Sequence, residues 1–367
     1  MLLYKGPRNQ ILEPLQSVCG IVEKRHTLPI LSNVLIEKNA GKLTLLATDI
    51  EIQIKTATAV VGDDSTALTV AARKLQDILR SLPEDSELSV SFEDKRLQVK
   101  AGKSRFNLQT LPAEDFPRMA QSDVGQTNIG VTQKQFKRLL ALVQYAMAQQ
   151  DIRYYLNGLL LVIKGGEIRM VATDGHRLAY ASEALPEQSQ AIEVILPRKT
   201  VLELSRQLAD NDDALEISLT PTQALFRFGS IEFISKLIDG KFPDYERVIP
   251  QNHHNLVKLS RTGLLQSLLR AKILTNEKTP GVRLVVTPGS LKIISNNAER
   301  EEAHEEIEVD YQGDSLDIGF NVNYLLDVLN NVSVEEVECR LGDANSSALF
   351  SVPGNDKFKY VVMPMRI

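Results

Sequence analysis

Lys42-Leu43-Thr44-Leu45-Leu46-Ala47-Thr48-Asp49 has an echo further along the chain, Glu167-Ile168-Arg169-Met170-Val171-Ala172-Thr173-Asp174. Each is an alternating apolar stretch, the pattern of a half-buried strand, and each runs into Ala-Thr-Asp. Thr48 and Thr173 stand 125 positions apart. A weaker third version is Ser290-Leu291-Lys292-Ile293-Ile294-Ser295-Asn296-Asn297. A second marker lies downstream of each: Val70-Ala71-Ala72-Arg73-Lys74-Leu75, Ile195-Leu196-Pro197-Arg198-Lys199-Thr200, and Phe320-Asn321-Val322-Asn323-Tyr324-Leu325. Lys74, Lys199 and Tyr324 are again 125 apart. Two markers at constant spacing describe one unit written three times.

Each copy has the same coarse order. A helix opens it, at Ile11 to Glu23, Gln133 to Gln150 and Thr262 to Leu274; in the second of these Phe136, Leu139, Leu140, Val143 and Met147 share one face. Short alternating strands follow, such as Ile50, Ile52 and Ile54 between Glu51, Gln53 and Lys55. A second helix is expected at Arg73 to Leu82, Lys199 to Leu208 and Asn323 to Asn331, and further strands close the copy. Phe116-Pro117 and Phe242-Pro243 precede polar, turn-rich segments that read as linkers. The expectation is an α+β chain of three tandem domains, 1–126, 127–253 and 254–367. The period is too long for a solenoid, and each copy is large enough to hold its own core.

The 367 residues are 43% hydrophobic and 24% charged, an ordinary globular composition. Cys19 and Cys339 fit no metal or redox spacing; no apolar run reaches the length of a membrane span, and Met1 to Pro7 lacks the apolar core of a signal peptide. A reducing cytoplasm and no membrane partner are expected. The net charge of −5 argues against nucleic acid until it is partitioned. The six helical windows together carry +10, leaving −15 for the remainder. Basic helices follow a phosphate backbone without reading sequence. Lys and Arg are also good helix formers on any surface, so charge alone leaves both readings open.

A search for chemistry returns little. Gly102-Lys103-Ser104 looks like the end of a phosphate loop, but Leu97 stands where the first glycine belongs, and Arg105-Phe106-Asn107-Leu108 alternates like a strand. His26, His176, His253, His254 and His304 fall in no ligand spacing. Asp174-Gly175-His176-Arg177 is the one cluster suited to acid–base work. Thr48-Asp49 repeats the Asp without the His, so the Asp reads as a turn residue of the fold and Gly175-His176-Arg177 as the addition specific to copy two. No enzyme, metal or cofactor is expected.

Thr27-Leu28-Pro29-Ile30-Leu31-Ser32-Asn33, Asp151-Ile152-Arg153-Tyr154-Tyr155-Leu156-Asn157-Gly158, Ala172 to Ala179, Ser235 to Tyr245, Ile318-Gly319-Phe320-Asn321-Val322 and the ending Tyr360-Val361-Val362-Met363-Pro364-Met365-Arg366-Ile367 occur together in this order. On these segments the chain resembles the bacterial DNA polymerase III beta subunit family, the replicative sliding clamps, over its whole length. The resemblance implies a head-to-tail homodimer, a six-domain ring with helices lining the hole around duplex DNA. It implies a peptide pocket for the polymerase III alpha subunit, the clamp loader and other clamp-motif proteins. The matching pocket positions are Arg153, Leu156, Thr173, Gly175, His176, Arg177, Leu178, Pro243, Arg247, Val248, Asn321, Tyr324, Ser347, Val361, Met363, Pro364, Met365 and Arg366. Methionines at an exposed chain end suit a surface that accepts several peptides. Asn345 stands where the family would place an apolar wall. The implied DNA-contact residues are Arg25, Arg73, Gln150, Tyr154, Tyr155 and Lys199, and the implied dimer seam is Phe106 and Leu108 against Ile273 and Leu274.

Overall fold

The computed structural model describes residues 1–23, 28–121, 126–185 and 190–366; Arg25 lies outside them. The chain forms two compact units, Met1–Gln135 with Leu202–Leu237, and Phe136–Val201 with Ile238–Ile367.

The strand order carries the repeat. In space, the strands of copy one run Leu2–Pro7, Glu87–Glu93, Arg96–Ala101, Ser104–Leu111, Thr66–Ala71, Asn33–Asn39, Lys42–Thr48, Ile52–Ala59, which in chain order are the first, sixth, seventh, eighth, fifth, second, third and fourth.

 The fourth of these strands in chain order is Ile52–Ala59, and the eighth is Ser104–Leu111. Copies two and three repeat the order in two four-stranded blocks each: Thr127–Thr132, Ala214–Leu219, Gln223–Phe228, Ile231–Lys236 and Ile192–Pro197, Gly158–Lys164, Glu167–Thr173, Arg177–Ala184 in copy two; Asn255–Ser260, Glu336–Leu341, Ala348–Val352, Asn355–Val362 and Leu316–Asn321, Gly281–Thr287, Ser290–Asn296, Glu302–Glu308 in copy three. Successive copies join through backbone ladders. In the first unit Ile52–Ala59 of copy one pairs antiparallel with Ile231–Lys236 of copy two, Ile54 opposite Phe233. In the second unit Arg177–Ala184 of copy two pairs antiparallel with Asn355–Val362 of copy three, Ala179 opposite Tyr360. Both joints therefore use the fourth strand of one copy and the eighth of the next.

Two helices belong to each copy: α1 (Asn9–Cys19) and α2 (Ala72–Ser81), α3 (Gln133–Val143) and α4 (Arg198–Gln207), α5 (Arg261–Lys272) and α6 (Val322–Asn331). The entry to each opening helix is tied to the end of the second. Arg8 donates to the Leu82 carbonyl at 2.5 Å, the Gln133 side chain accepts from the Ala209 amide, and Arg261 donates to the carbonyls of Leu329 and Val334. The Leu82 and Leu329 carbonyls are among those that a helix C-terminus leaves without an internal partner. Four helices lie within two residues of the expected ends, whereas α1 stops at Cys19 instead of reaching Glu23 and α3 stops at Val143 instead of reaching Gln150. A short 3-10 turn, Gln144–Ala146, follows it. The next residues are drawn into other bonds: the Ala148 amide donates to Leu156 and the Met147 carbonyl accepts from Arg198. Met147 is still buried, so its apolar character belongs to the core without belonging to the helix.

The phosphate-loop look-alike is a hairpin. Gly102 takes φ +55 between paired strands Arg96–Ala101 and Ser104–Leu111. Both cysteines are buried and free. Burial pushes the Cys19 thiol up to about 12, with Arg73 and Arg80 opposing. Burial also raises Cys339.

Since the thiolate is the reactive species, neither cysteine should react with Ellman's reagent at pH 8 in the native protein, and both should react after unfolding in guanidinium. Phe136 is fully buried on α3; Phe136→Ala should cost about 3–5 kcal/mol, read from the shift of the urea transition.

Candidate functional site

Thr173 and Asp174 build a turn that has an identical twin in copy one. Thr173 Oγ1 donates to the Arg177 carbonyl and accepts from the Gly175 amide, while Asp174 Oδ1 accepts from the amides of His176 and Arg177. Thr48 and Asp49 make the same four bonds with Ile50, Glu51 and Ile52. The aspartates are fold residues, as their repetition implies.

What differs between the twins is the decoration. Gly175 has φ +87, yet its counterpart Ile50 adopts φ +68, so a positive φ does not by itself demand glycine here. A Cβ on Gly175 would lie 2.9 Å from the Arg153 guanidinium and would push that side chain aside. Glycine lets Arg153 lie over the turn. Arg153 also bonds Asp151 through Nε at 3.0 Å and Nη2 at 2.9 Å, and these bonds hold the Asp151 carboxyl down at about 2.

Beneath the turn lies an apolar cluster drawn from copies two and three of the same unit. Leu156, Leu160, Val171, Leu178, Phe242, Leu349 and Val361 are buried in it, with Tyr155 and Tyr245 packed against it. The chain end crosses above. The Met363 amide donates to the His176 carbonyl at 2.9 Å, and the Met365 amide donates to the Gly319 carbonyl at 2.7 Å. This leaves Met363 44% exposed, with Pro364 and Met365 half-buried and Arg366 exposed.

Arg177 binds the two copies together. Its guanidinium donates to Asp174 and the Tyr145 carbonyl in copy two, and to Asp327 on α6 in copy three at 2.5 Å. It also lies over the Tyr324 ring, 4.4 Å from the centroid. Burial works against its charge, but Tyr360, Asp327 and Asp174 outweigh that and raise its pKa. Tyr360 in turn donates to the Tyr324 carbonyl at 3.0 Å.

Most of the expected pocket positions fall into three groups. Leu156, Leu178 and Val361 form the buried floor, and Thr173 is nearly buried in the turn. Arg153, Gly175, His176, Arg177, Tyr324, Met363, Pro364 and Met365 surround the turn and the chain end through the contacts above. Pro243, Arg247 and Val248 are exposed beyond Phe242, with Arg247 paired to Asp244 at 2.9 Å. Asn321 caps α6 by accepting from the Asn323 amide, Ser347 is half-buried, and Asn345 sits on an exposed turn bonded to Asp343.

The DNA-contact positions are less alike than their sequence grouping suggests. Gln150 is exposed at φ +56, Tyr154 is 57% exposed, Lys199 is exposed, and Tyr155 is half-buried. Arg73 instead turns back to its own domain, donating twice to the Val22 carbonyl. Arg206 pairs with Glu203, and Arg270 with Glu305. Much of the helical positive charge therefore serves helix ends and local carboxylates, which a charge count cannot register. Asp327, the single charge counted on α6, proves to be the partner of Arg177 and was not anticipated. The Phe106 and Leu108 side chains are half-buried, Leu274 likewise, and Ile273 is 76% exposed.

The family models of the DNA polymerase III beta subunit match in sequence: the N-terminal domain at residues 5–120, the central domain at 130–244 and the C-terminal domain at 246–366. The beta sliding clamp of Pseudomonas putida is 48% identical over 362 residues, covering 98% of both chains, and that of Escherichia coli is 45% identical over 363 residues with the same coverage. The crystal structure of the beta subunit from Pseudomonas aeruginosa superposes with TM-score 0.96 at 47% identity, covering both chains fully. A second Pseudomonas aeruginosa clamp structure, bound to griselimycin, has TM-score 0.96 at 46% identity, again covering both chains fully. The chain, with its three tandem clamp domains, belongs to the DNA polymerase III beta subunit family, the beta sliding clamps, and is an accessory subunit of the polymerase, not an enzyme.

Proposed function

We propose that this chain closes head to tail with a second copy around duplex DNA, and tethers the polymerase III alpha subunit, the clamp loader and other partners through peptides bound beside Gly175, His176 and Met363. The domain limits 1–126, 127–253 and 254–367 belong to the same reading, as does a cytoplasmic location, which suits two free thiols.

The observation that carries it is the pair of strands left over. Fourth-to-eighth pairing joins copy one to two and copy two to three. It leaves the fourth strand of copy three, Glu302–Glu308, at a sheet edge, and the eighth of copy one, Ser104–Leu111, paired on one side only except at Thr110 and Leu111. Open edges are templates for pairing. A second chain supplies the missing partner to each, and two such joints close a ring of six domains. Charge favours the match: Glu302, Glu305, Glu306 and Glu308 line one edge, while Arg96, Lys100, Lys103 and Arg105 belong to the hairpin carrying the other. Phe106 and Leu108, with Ile273 and Leu274, supply apolar area at the seam. A closed ring holds DNA without tight contacts, so Lys199, Gln150, Tyr154, Tyr155, Arg73 and Arg25 need only a sequence-independent attraction.

Phe106→Glu sets a carboxylate against an acidic strand. It should turn a dimer at micromolar concentration into a monomer in sedimentation equilibrium, whereas a wild-type monomer there would refute the ring. Protein loaded onto nicked circular DNA by its loader and ATP should be lost when the circle is cut; retention on the linear product would mean direct binding. Deleting residues 363–367 should abolish griselimycin binding in calorimetry and leave the dimer intact, because the pocket loses Met363, Pro364 and Met365 while the seam is untouched.

A further inference from the structure

The pairing of Arg177 with Asp327 recurs nowhere else in the repeat. The equivalent positions 125 residues earlier hold Ile52 and Leu202, so two apolar residues stand where copies two and three carry an ion pair. Arg177 has a side chain only 10% exposed, and each of its three nitrogens donates to a protein acceptor. Asp327 is 40% exposed, so only the arginine end of the pair is buried; taking one charge out of water offsets much of the attraction, and the best-attested use of such a pair is to fix one arrangement among several. The elements it fixes are the Thr173–Arg177 turn and α6. The chain end spans nearly the same gap: the Met363 amide is held by the turn, and the Met365 amide by Gly319, just before α6.

We propose that Arg177 and Asp327 are a positioning pair that sets the separation of the turn from α6 and so holds Met363 to Met365 in the arrangement that receives a peptide. Whatever Arg177 contributes at the pocket wall, this role acts through the position it gives the turn. Asp327, which belongs to none of the pocket positions, is as necessary as Arg177. Leu202 at the corresponding place in copy two explains why the shared Thr-Asp turn of copy one carries no such site.

This inference rests on the peptide-pocket reading, but it can fail separately. Two measurements on the full-length protein are needed: hydrogen–deuterium exchange of the Met363 and Met365 amides, and calorimetric titration with griselimycin. Asp327→Asn should speed exchange at both amides and weaken griselimycin by about tenfold, the scale of one charge-assisted hydrogen bond. Asp327→Glu should restore most of both. The double variant Arg177→Ile, Asp327→Leu carries the residue types found at 52 and 202 and leaves neither charge without its partner; it should stay folded, with a cooperative melting transition, while still showing fast exchange and weak binding. Wild-type exchange in Asp327→Asn and in the double variant overturns the proposal. So does unchanged griselimycin affinity in both. If griselimycin fails to bind the wild-type protein, the pocket reading falls, and the exchange rates alone decide the role of the pair.

Discussion

Every copy of this fold ends in an unpaired edge, and the backbone must satisfy it. A strand at a sheet edge exposes a row of amides and carbonyls, and the chain meets this by pairing the fourth strand of each copy with the eighth strand of the next. The ladders Ile52–Ala59 to Ile231–Lys236 and Arg177–Ala184 to Asn355–Val362 join copy one to copy two and copy two to copy three in the same way.

Repetition of the backbone leaves side chains free to diverge. The Thr-Asp turn makes the same four bonds twice, so its hydrogen-bonded frame is a constant of the fold. On that frame copy one places Ile50 and Ile52, and copy two places Gly175 and Arg177. Glycine admits Arg153 over the turn, and Arg177, where copy one has Ile52, makes a set of directional bonds that reach copy three. Specialisation here consists of a few substitutions at one joint of a periodic structure.

The same contrast governs the charges. Arginines on repeated helices look alike in a count, but Arg8, Arg73 and Arg261 donate to carbonyls of neighbouring segments, while Arg138 and Lys134 remain exposed. A guanidinium that satisfies helix-end carbonyls keeps its positive charge and still adds to the field of the surface, so the net count stands even where the contact role does not.

By itself the sequence determined the repeat, the α+β class, four of six helices nearly to their ends, and the turn role of Asp49 and Asp174. Each of these is a local matter of apolar period, turn chemistry and spacing. The family resemblance added the pocket residues. Tertiary structure alone decided where α3 stops, which strands join the copies, that Gly175 yields to Arg153, and that Asp327 answers Arg177 from 150 positions away. Those outcomes depend on which groups meet in space, and neither a helical period nor a charge count records a partner so distant in the chain.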